Sequence, residues 1–443
     1  MKNILFIFSD QQRQDTMGIY GQKLNVTPNL DKLSKDGTVF ENSFTAQPVC
    51  GPARACLQSG IYPSQLGTFK NGISLPKNIK TIANYLNDIG YETAYVGKWH
   101  LASDDGIEEY HYKPVPPHKR GGYKDYWMAS DVLEFTSHGY DGYVFNKDME
   151  KIEFTGYRAD KITDFALNYL DKKTSDNPFF LFVSYIEPHH QNDRKIYEGP
   201  LDSKEKFANF EIPEDLKKLE YGDSRENYAD YLGCCNSIDK NVGRLIEKLK
   251  EKNIMDNTVI IYTSDHGCHF KTRNKNLKKP GGDDYKRSPA DCVIKTPLII
   301  WGLDQLKSKR ESSFVSLIDL PPTILHIAGY KNFGEMQGKT VFERIKDKNK
   351  EVFIQISESF VGRAIRTDKF LYCVHAPDKN PWNDKNSIEY QELYLYDLEK
   401  DPLELNNLVK NKDYEEDKKR LSVLLKNRIK QYEQIECTIL KSN

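Results

Sequence analysis

The chain has 443 residues, of which 38% are hydrophobic and 12% are aromatic. This apolar content is enough for a sizeable core in two or three domains, and it excludes a disordered chain. Lys and Arg number 64 and Asp and Glu number 65, which leaves a net charge of -1. The overall charge therefore gives no reason to expect a nucleic acid or an acidic membrane as a partner.

The first apolar run covers only residues 4–8 before Ser9 and Asp10. It is too short for the core of a signal peptide or for a membrane span. We therefore expect a cytoplasmic protein. The eight cysteines include no Cys-x-x-Cys pair and no zinc-ribbon spacing, so we expect most of them to be reduced and buried.

Four unalternated apolar runs of strand length predict strands that helices cover on both faces. Segments with helical periodicity lie between these runs, one opening at Thr27-Pro28, one following Thr81, and one near 237–251. The alternation predicts an α/β fold with a doubly wound, mostly parallel sheet flanked by helices. The predicted strands are 3–8, 93–97, 179–185 and 258–263.

The pattern changes near residue 351, where short segments alternate as half-exposed antiparallel strands do. A charged helix over about 414–433 ends the chain. We predict a large α/β domain over 1–346, which should hold the functional site, and a smaller C-terminal α+β subdomain over 347–443. Residues 101–178 and 190–225 show little strand pattern, and we interpret them as long insertions over the ligand crevice.

Polar and charged side chains follow each of the four predicted strands. In a doubly wound sheet the ligand lies beyond the carboxyl ends of the strands, so these residues should meet in one crevice. The residues in strand order are Asp10 and Gln11, Lys98 and His100, His189 and His190, and Asp265 and His266.

Residues 50–60 read Cys-Gly-Pro-Ala-Arg-Ala-Cys-Leu-Gln-Ser-Gly. This segment resembles the signature of the type I, formylglycine-dependent sulfatases of the alkaline-phosphatase-like superfamily. In that family a maturation enzyme converts the signature cysteine to formylglycine. The resemblance makes Cys50 the precursor of the nucleophile and Arg54 its partner, whereas an arbitrary cysteine is more often a buried core thiol.

The chemistry explains why an aldehyde is useful. Its hydrate has two hydroxyls: one attacks sulfur and expels the alcohol, and the other then loses its proton so that the aldehyde reforms and sulfate leaves. No water has to attack the sulfated intermediate. A plain serine would stay sulfated.

Gly97–His100 resembles the Gly-Lys-Trp-His segment of the same family. The resemblance implies that Lys98 binds sulfate and that His100 takes the proton from the second hydroxyl, a task that suits an imidazole near neutral pH. A solvated lysine and a capping histidine are the alternative.

Two further segments resemble family motifs. Pro188-His189 implies that His189 contacts sulfate and protonates the departing alcohol, with His190 as the alternative in register or as part of an adventitious metal site. Lys286 lies eleven positions before Pro297, as a sulfate-binding lysine of the family does. By itself, a lysine in a basic stretch is more often solvated.

The resemblance also implies a metal site formed by Asp10, Gln11, Asp265 and His266 together with position 50. Gln11 stands where Asp is commoner, which removes one negative charge. Oxygen ligands favour Ca²⁺, with Mg²⁺ as an alternative, and His266 keeps Mn²⁺ or Zn²⁺ open. An aspartate after a strand can instead cap the following helix.

We therefore predict a sulfuric ester hydrolase that acts on a sulfated organic substrate, with a carbohydrate favoured, and that depends on a formylglycine-generating maturase. Residues 121–143 offer aromatic rings for a sugar, or simply pack as a long loop. Arg363 and Arg366 either reach the pocket or form ion pairs. The alternatives are a phosphonate monoester or phosphodiester hydrolase on the same fold and a non-catalytic relative that binds sulfated glycans.

Overall fold

The computed structural model describes residues 1–219, 221–273 and 285–442. Residue 443, the last of the predicted C-terminal subdomain, and residues 220 and 274–284 lie outside the described part. The described chain forms a 10-stranded sheet and a 5-stranded sheet.

The large sheet has the strand order β10-β2-β9-β8-β1-β7-β3-β4-β5-β6. Its strands are β1 (Asn3–Ser9), β2 (Thr38–Phe44), β3 (Glu92–Lys98), β4 (Tyr126–Ser130), β5 (Asp141–Asn146), β6 (Lys151–Thr155), β7 (Phe179–Ser184), β8 (Thr258–Ser264), β9 (Leu298–Trp301) and β10 (Lys309–Ser316).

Helices cover both faces of this sheet and one packs on the small sheet. They are α1 (Pro28–Ser34), α2 (Cys50–Ser59), α3 (Pro63–Leu66), α4 (Ile82–Asp88), α5 (Leu133–Thr136), α6 (Arg158–Lys172), α7 (Ser203–Lys206), α8 (Glu214–Lys217), α9 (Ser224–Glu251), α10 (Asp291–Ile294), α11 (Leu320–Ile327), α12 (Val341–Lys346) and α13 (Glu415–Glu433).

The four strands predicted from the sequence lie together at the centre of the large sheet. β8, β1, β7 and β3 are consecutive and mutually parallel. Successive residues of β1 enter different hydrophobic clusters, Phe6 and Phe8 on one face and Leu5 and Ile7 on the other. Both faces are therefore buried, as the unalternated pattern indicates. The predicted α/β fold class is confirmed.

The prediction that 101–178 is an insertion with little regular structure is wrong. β4 continues the sheet in parallel beside β3, β5 and β6 extend it, and α6 covers one face. Residues Ile162, Ala166 and Leu170 give α6 a buried stripe at four-residue spacing. The strands were missed because β5 and β6 are partly exposed and none of the three is a long apolar run.

The small sheet is antiparallel apart from its last pair and has the order β11-β12-β13-β14-β15. α13 packs on it through Leu421, Leu425 and Ile429. The boundary at 346/347 stays a prediction. The strands are β11 (Glu351–Ile356), β12 (Gly362–Thr367), β13 (Phe370–His375), β14 (Glu389–Asp397) and β15 (Thr438–Leu440).

Arg363 and Arg366 form ion pairs away from the cluster around Cys50. Arg363 binds Glu433, and Arg366 binds Asp291 at 2.8 Å. These two arginines therefore follow the second of the two alternatives.

Within the described residues, none of the helices has both the length and the apolar content needed to cross a bilayer. The cytoplasmic location stays a prediction.

Candidate active site

Four candidate metal ligands meet at the carboxyl end of the central strands. Asp10 follows β1, Asp265 and His266 follow β8, and Cys50 is the first residue of α2. One donor atom from each lies within 4.8 Å of the others, and all four residues are buried. Among the described residues, His, Cys, Asp and Glu form no second group of this kind.

The sheet register brings the two carboxylates together. β1 and β8 are parallel neighbours, and Ser9 pairs with Ser264. The residues that follow, Asp10 and Asp265, therefore leave the sheet at the same level. Asp10 Oδ1 lies 3.4 Å from Cys50 Sγ, so the first turn of α2 completes the group.

The two carboxylate oxygens of Asp265 differ in their hydrogen bonds. Its Oδ1 accepts hydrogen bonds at 2.8 Å from the backbone N–H groups of Gln11 and His266. Its Oδ2 is buried and has no hydrogen-bond partner among the described residues. Burial and the neighbouring Asp10 raise the pKa of Asp265 to about 7. A cation at this oxygen would remove both penalties, so the donor set fits a divalent metal.

The thiol of Cys50 is held by polar contacts on several sides. Lys286 Nζ lies 2.9 Å from Sγ, and His266 Nε2 lies 3.4 Å from it. Cys50 is only 1% exposed. Burial and Asp10 raise the pKa of the thiol to about 12, against the lowering effect of Lys286. At neutral pH the side chain is therefore a protonated thiol, which is a poor nucleophile.

Two cations bind the carboxylate of Asp10. Lys98 Nζ lies 2.9 Å and Arg54 Nη2 lies 3.0 Å from Asp10 Oδ2. Burial opposes ionisation, but Lys98 and Arg54 hold the pKa of Asp10 well below its usual range. The carboxylate is therefore ionised, as a metal ligand has to be. Arg54 also donates to the Lys98 carbonyl at 2.9 Å, which fixes the end of β3.

Lys286 and His189 form a second polar pair beside Cys50. Lys286 Nζ lies 3.0 Å from His189 Nε2. Burial and Lys286 lower the pKa of His189 well below its usual value, so the imidazole is neutral. Its Nδ1 has no hydrogen-bond partner among the described residues. His189 therefore has hydrogen-bonding capacity for a ligand.

His100 follows β3 in a left-handed backbone conformation, with φ 59°. Its N–H donates to the Asp131 carbonyl at 2.7 Å. A Cβ built on Gly51 would lie 3.6 Å from the His100 carbonyl oxygen, so His100 lies against the start of α2. Burial and Lys98 lower the pKa of its imidazole well below the usual value. The ring is therefore neutral and able to accept a proton.

Two predicted residues have contacts outside this cluster. The Gln11 side chain donates to the Tyr197 hydroxyl at 3.2 Å and to Cys268 Sγ at 3.5 Å, while its backbone N–H binds Asp265. His190 binds Asn192 Oδ1 at 3.2 Å and packs on Tyr285. His189, and not His190, is thus the imidazole beside Lys286. Ligation by Gln11 stays a prediction.

Residues that the sequence analysis missed also contact this cluster. Glu134, on α5, lies 3.1 Å from Lys98 Nζ. Asn71 Oδ1 accepts from the Gly51 N–H at 2.9 Å and so caps the first turn of α2. Asp131 accepts from the backbone N–H groups of residues 101–103 and shapes the loop after His100. Of these residues, Glu134 carries a weak sequence signal, because it is an acidic residue between Leu133 and Phe135.

Comparison with known proteins identifies related chains. The sulfatase family model matches residues 2–330, and the model of the C-terminal region of N-sulphoglucosamine sulphohydrolase matches residues 284–432. The uncharacterized sulfatase YidJ of Escherichia coli K12 is 30% identical over 92% of this chain and 83% of its own length. An ulvan-active sulfatase of Formosa agariphila is 29% identical over 93% and 78%.

Solved structures share the fold along nearly the whole chain. The crystal structure of YidJ from Bacteroides fragilis has a TM-score of 0.80 and 26% identity, and covers 98% of this chain and 96% of that one. A protein solved with its substrate D-glucosamine-2-N,6-O-disulfate has a TM-score of 0.75, 22% identity and 98% coverage of both chains. The phosphonate monoester hydrolase of Agrobacterium radiobacter has a TM-score of 0.70, 21% identity and coverages of 97% and 96%.

Proposed function

The chain belongs to the sulfatase family and is a sulfuric ester hydrolase, and we propose that it removes sulfate from a sulfated carbohydrate through a formylglycine made from Cys50. The observation that carries the proposal is the position of Cys50. Its Sγ lies among Asp10, His266 and Lys286, and the cysteine heads the helix that carries the signature.

The state of the thiol supports conversion. A buried thiol with its pKa raised to about 12 is not a thiolate at neutral pH, and its neighbours do not activate it enough. When position 50 carries the hydrated aldehyde, one hydroxyl is the nucleophile that attacks sulfur. The other hydroxyl then loses its proton, so that the aldehyde reforms and sulfate leaves. The maturase is therefore a required partner.

Asp10, Asp265 and His266 would hold the metal together with the oxygen at position 50, and Gln11 stays a proposed ligand. Asp265 Oδ2 supports this assignment, because it is buried and accepts no hydrogen bond from the described residues. The two carboxylates favour Ca²⁺, with Mg²⁺ or Mn²⁺ as alternatives. Such a cation would polarise a sulfate oxygen and favour the ionised nucleophile.

The remaining residues bind the ester and move protons. Lys98 and Lys286 supply positive charge for the sulfate oxygens. His100, neutral because of burial, accepts the proton from the second hydroxyl. His189 is neutral in the free chain. The negative charge of a bound sulfate ester would raise its pKa, so that the protonated ring donates to the departing alcohol. Arg54 binds Asp10 at 3.0 Å and orients that carboxylate.

The carbohydrate assignment has support from related proteins. One relative at 29% identity acts on ulvan, and one structure with the same fold holds a sulfated glucosamine. A solved phosphonate monoester hydrolase shares the fold as well, so phosphonate or phosphodiester hydrolysis is the second candidate.

One preparation, co-expressed with a formylglycine-generating maturase, tests the proposal. We expect the tryptic peptide around Cys50 to carry formylglycine by mass spectrometry. We also expect sulfate release from 4-nitrophenyl sulfate and from a panel of position-defined monosaccharide sulfates. A greater kcat/KM for phosphonate or phosphodiester substrates would overturn the assignment. A thiol that stays unconverted, with no sulfate released, would favour the non-catalytic alternative.

A further inference from the structure

Besides the proposed metal ligands Asp10 and Asp265, one more carboxylate is buried in this pocket. Glu134 is 7% exposed, and both of its oxygens lie 3.1 Å from Lys98 Nζ. Only Oε1 accepts a hydrogen bond from that lysine. Oε2 is buried and has no hydrogen-bond partner among the described residues. A carboxylate near a sulfate-binding lysine weakens anion binding, so its presence calls for a donor that the substrate would bring.

The next residue on α5 is an exposed aromatic ring. Phe135 is 46% exposed and Tyr112 is 63% exposed. Their rings are nearly parallel, with centroids 5.8 Å apart and planes at 18°. His111 contacts the edge of Phe135, with centroids 5.3 Å apart. Exposed aromatic groups of this kind mark ligand-binding surfaces more often than an isolated apolar side chain does.

Two series of contacts link this aromatic pair to Cys50, and together they form a closed ring. The first series starts at Cys50 and passes through the loop that caps α2 and the segment around His111. The second series starts at Phe135 and passes through Glu134 on α5 and Lys98 back to Cys50. The contacts of the ring are Gly51 N to Asn71 Oδ1 at 2.9 Å, Asp105 N to Gly72 O at 2.9 Å, His111 Nε2 to Asp105 Oδ1 at 3.1 Å, His111 to Phe135, Glu134 to Lys98, Lys98 to Asp10, and Asp10 to Cys50.

α5 is also fixed from the side of His189. Gln191 Nε2 donates to the Glu134 carbonyl at 2.9 Å, and Gln191 is two residues beyond His189. His138, just after α5, lies 2.8 Å from Asp193 Oδ2. The helix that carries Glu134 and Phe135 is therefore held by the segment that follows His189, the imidazole that we assign to the departing alcohol.

We propose that Glu134, Phe135 and Tyr112 bind the sugar ring that carries the sulfate. Glu134 Oε2 accepts a hydrogen bond from a hydroxyl next to the sulfated carbon, and the two aromatic rings cover the apolar C–H face of the sugar. The negative charge of Glu134 rejects a ring with a second sulfate or a carboxylate at that position. This inference rests on the proposed function, because it names the substrate of the same site.

The test uses the converted enzyme and separates the sugar from the sulfate pocket. The probes are D-galactose and D-glucosamine monosulfates, their deoxy analogues without the neighbouring hydroxyl, and the matching disulfates. Inorganic sulfate, measured as an inhibitor, reports on the sulfate pocket alone. Tyr140→Ala is the control, because Tyr140 is an exposed tyrosine that packs on Tyr157.

Phe135→Ala and Tyr112→Ala should each lower kcat/KM for the preferred monosulfate by about 10-fold or more, chiefly through KM. The inhibition constant of inorganic sulfate should stay within about twofold. Phe135→Leu keeps an apolar side chain without the aromatic face, so it should show the same loss if the alanine variant folds poorly. Tyr140→Ala should change neither value.

Glu134→Gln should lower the preference for the hydroxyl-bearing sugar over its deoxy analogue by about 10-fold, because a charged acceptor is lost. The same variant should also lower the inhibition constant of inorganic sulfate and raise kcat/KM for the disulfate relative to the monosulfate. Equal losses on sugar and sulfate in these variants, or no loss, would overturn this inference while leaving the sulfatase proposal standing. An unmutated enzyme that releases no sulfate from any ester would overturn both.

Discussion

Charged side chains are buried in two distant regions of this molecule, and the two regions treat them differently. In the C-terminal part, Arg363 and Glu433 are 1% and 2% exposed. Arg363 Nη2 donates to Glu433 Oε2 at 2.9 Å and to the Lys385 carbonyl at 2.7 Å, and Gln355 donates to Glu433 Oε1 at 2.7 Å. None of the polar atoms of this pair lacks a partner within the described chain.

The region around Cys50 is incomplete by the same criterion. Five of its side chains have a buried polar atom without a hydrogen-bond partner among the described residues. They are Arg54, His100, Glu134, His189 and Asp265. Buried charge alone therefore does not mark a functional site, since the Arg363–Glu433 pair serves the fold. Single atoms of this kind also occur elsewhere, as in Arg120 and Ser316, so it is the cluster of five around Cys50 that supports the proposed metal and substrate site.

The largest effect that this comparison predicts follows Cys50→Ala. On the proposed mechanism Cys50 is the precursor of the nucleophile, so its removal should lower sulfate release by about 10³-fold or more, because covalent catalysis is lost. The melting temperature should stay close to that of the parent, since the site contributes to chemistry more than to folding. Sulfate release and thermal unfolding of the same preparation check both statements. Retained turnover would remove Cys50 from the mechanism.

Glu433→Gln should have the opposite profile. Arg363 would be left buried without its counter-charge, which costs about 3–5 kcal/mol of unfolding free energy. The folded fraction should keep its kcat/KM for aryl sulfate. Urea denaturation with a parallel activity assay measures both, and a loss of kcat/KM without a loss of stability would contradict the contrast between the two regions.

Metal removal should affect the site around Cys50 and leave the Arg363–Glu433 pair unchanged. Extended dialysis against a chelator should abolish turnover and lower the melting temperature, and Ca²⁺ should restore both. A ligand present at 100 times its Kd stabilises by about 2.7 kcal/mol. Asp265→Asn should reduce the calcium-dependent shift, whereas Glu433→Gln should keep it. Full activity after complete demetallation, verified by elemental analysis, would exclude the metal site.

The smallest expected effect concerns the pH dependence of stability at Asp239. This residue is intermediate between the two regions, because its carboxylate has backbone hydrogen bonds. This buried carboxylate accepts from the backbone N–H groups of Asn29 and Leu30 at 3.0 Å and 2.8 Å. Burial raises its pKa from the ordinary 3.8 to about 6. The folded state therefore binds more protons than the unfolded state between these values, and the stabilisation decreases as pH rises through them.

Asp239→Asn removes that titration. The difference in unfolding free energy between the parent and the variant should decrease as pH rises from about 4 to about 6. Urea unfolding at several pH values within this window measures the difference. A flat or increasing difference would show that Asp239 does not titrate as its burial indicates.

The sequence predicted the parts of the molecule in which one short segment carries the whole pattern. The central strands are continuous apolar runs, so their burial and parallel pairing followed directly. The residues at the strand ends, such as Asp10, Lys98 and Asp265, were therefore expected to lie together at one edge of the sheet. The structure brings them within hydrogen-bond or ligand distance of Cys50 or of one another.

The remaining parts depend on contacts between segments far apart in sequence. β4 has five residues, and its identity as a strand comes from pairing with β3. Glu134 gains its place in the pocket only through that pairing, since β4 leads into α5. The contact between Tyr112 and Phe135 joins a loop to the four-residue helix α5, and neither segment is long enough for a periodicity that could have predicted it.

The burial of Cys50 also bears on the order of events during biosynthesis. A maturation enzyme has to reach the side-chain sulfur, yet the folded chain leaves only 1% of this residue accessible and surrounds the sulfur with Lys286, His266 and Asp10. On the proposed mechanism, oxidation of position 50 must therefore come before the nascent polypeptide closes around it. The yield of active enzyme then depends on the rate of modification relative to the rate of folding. Slower folding would favour the modified form.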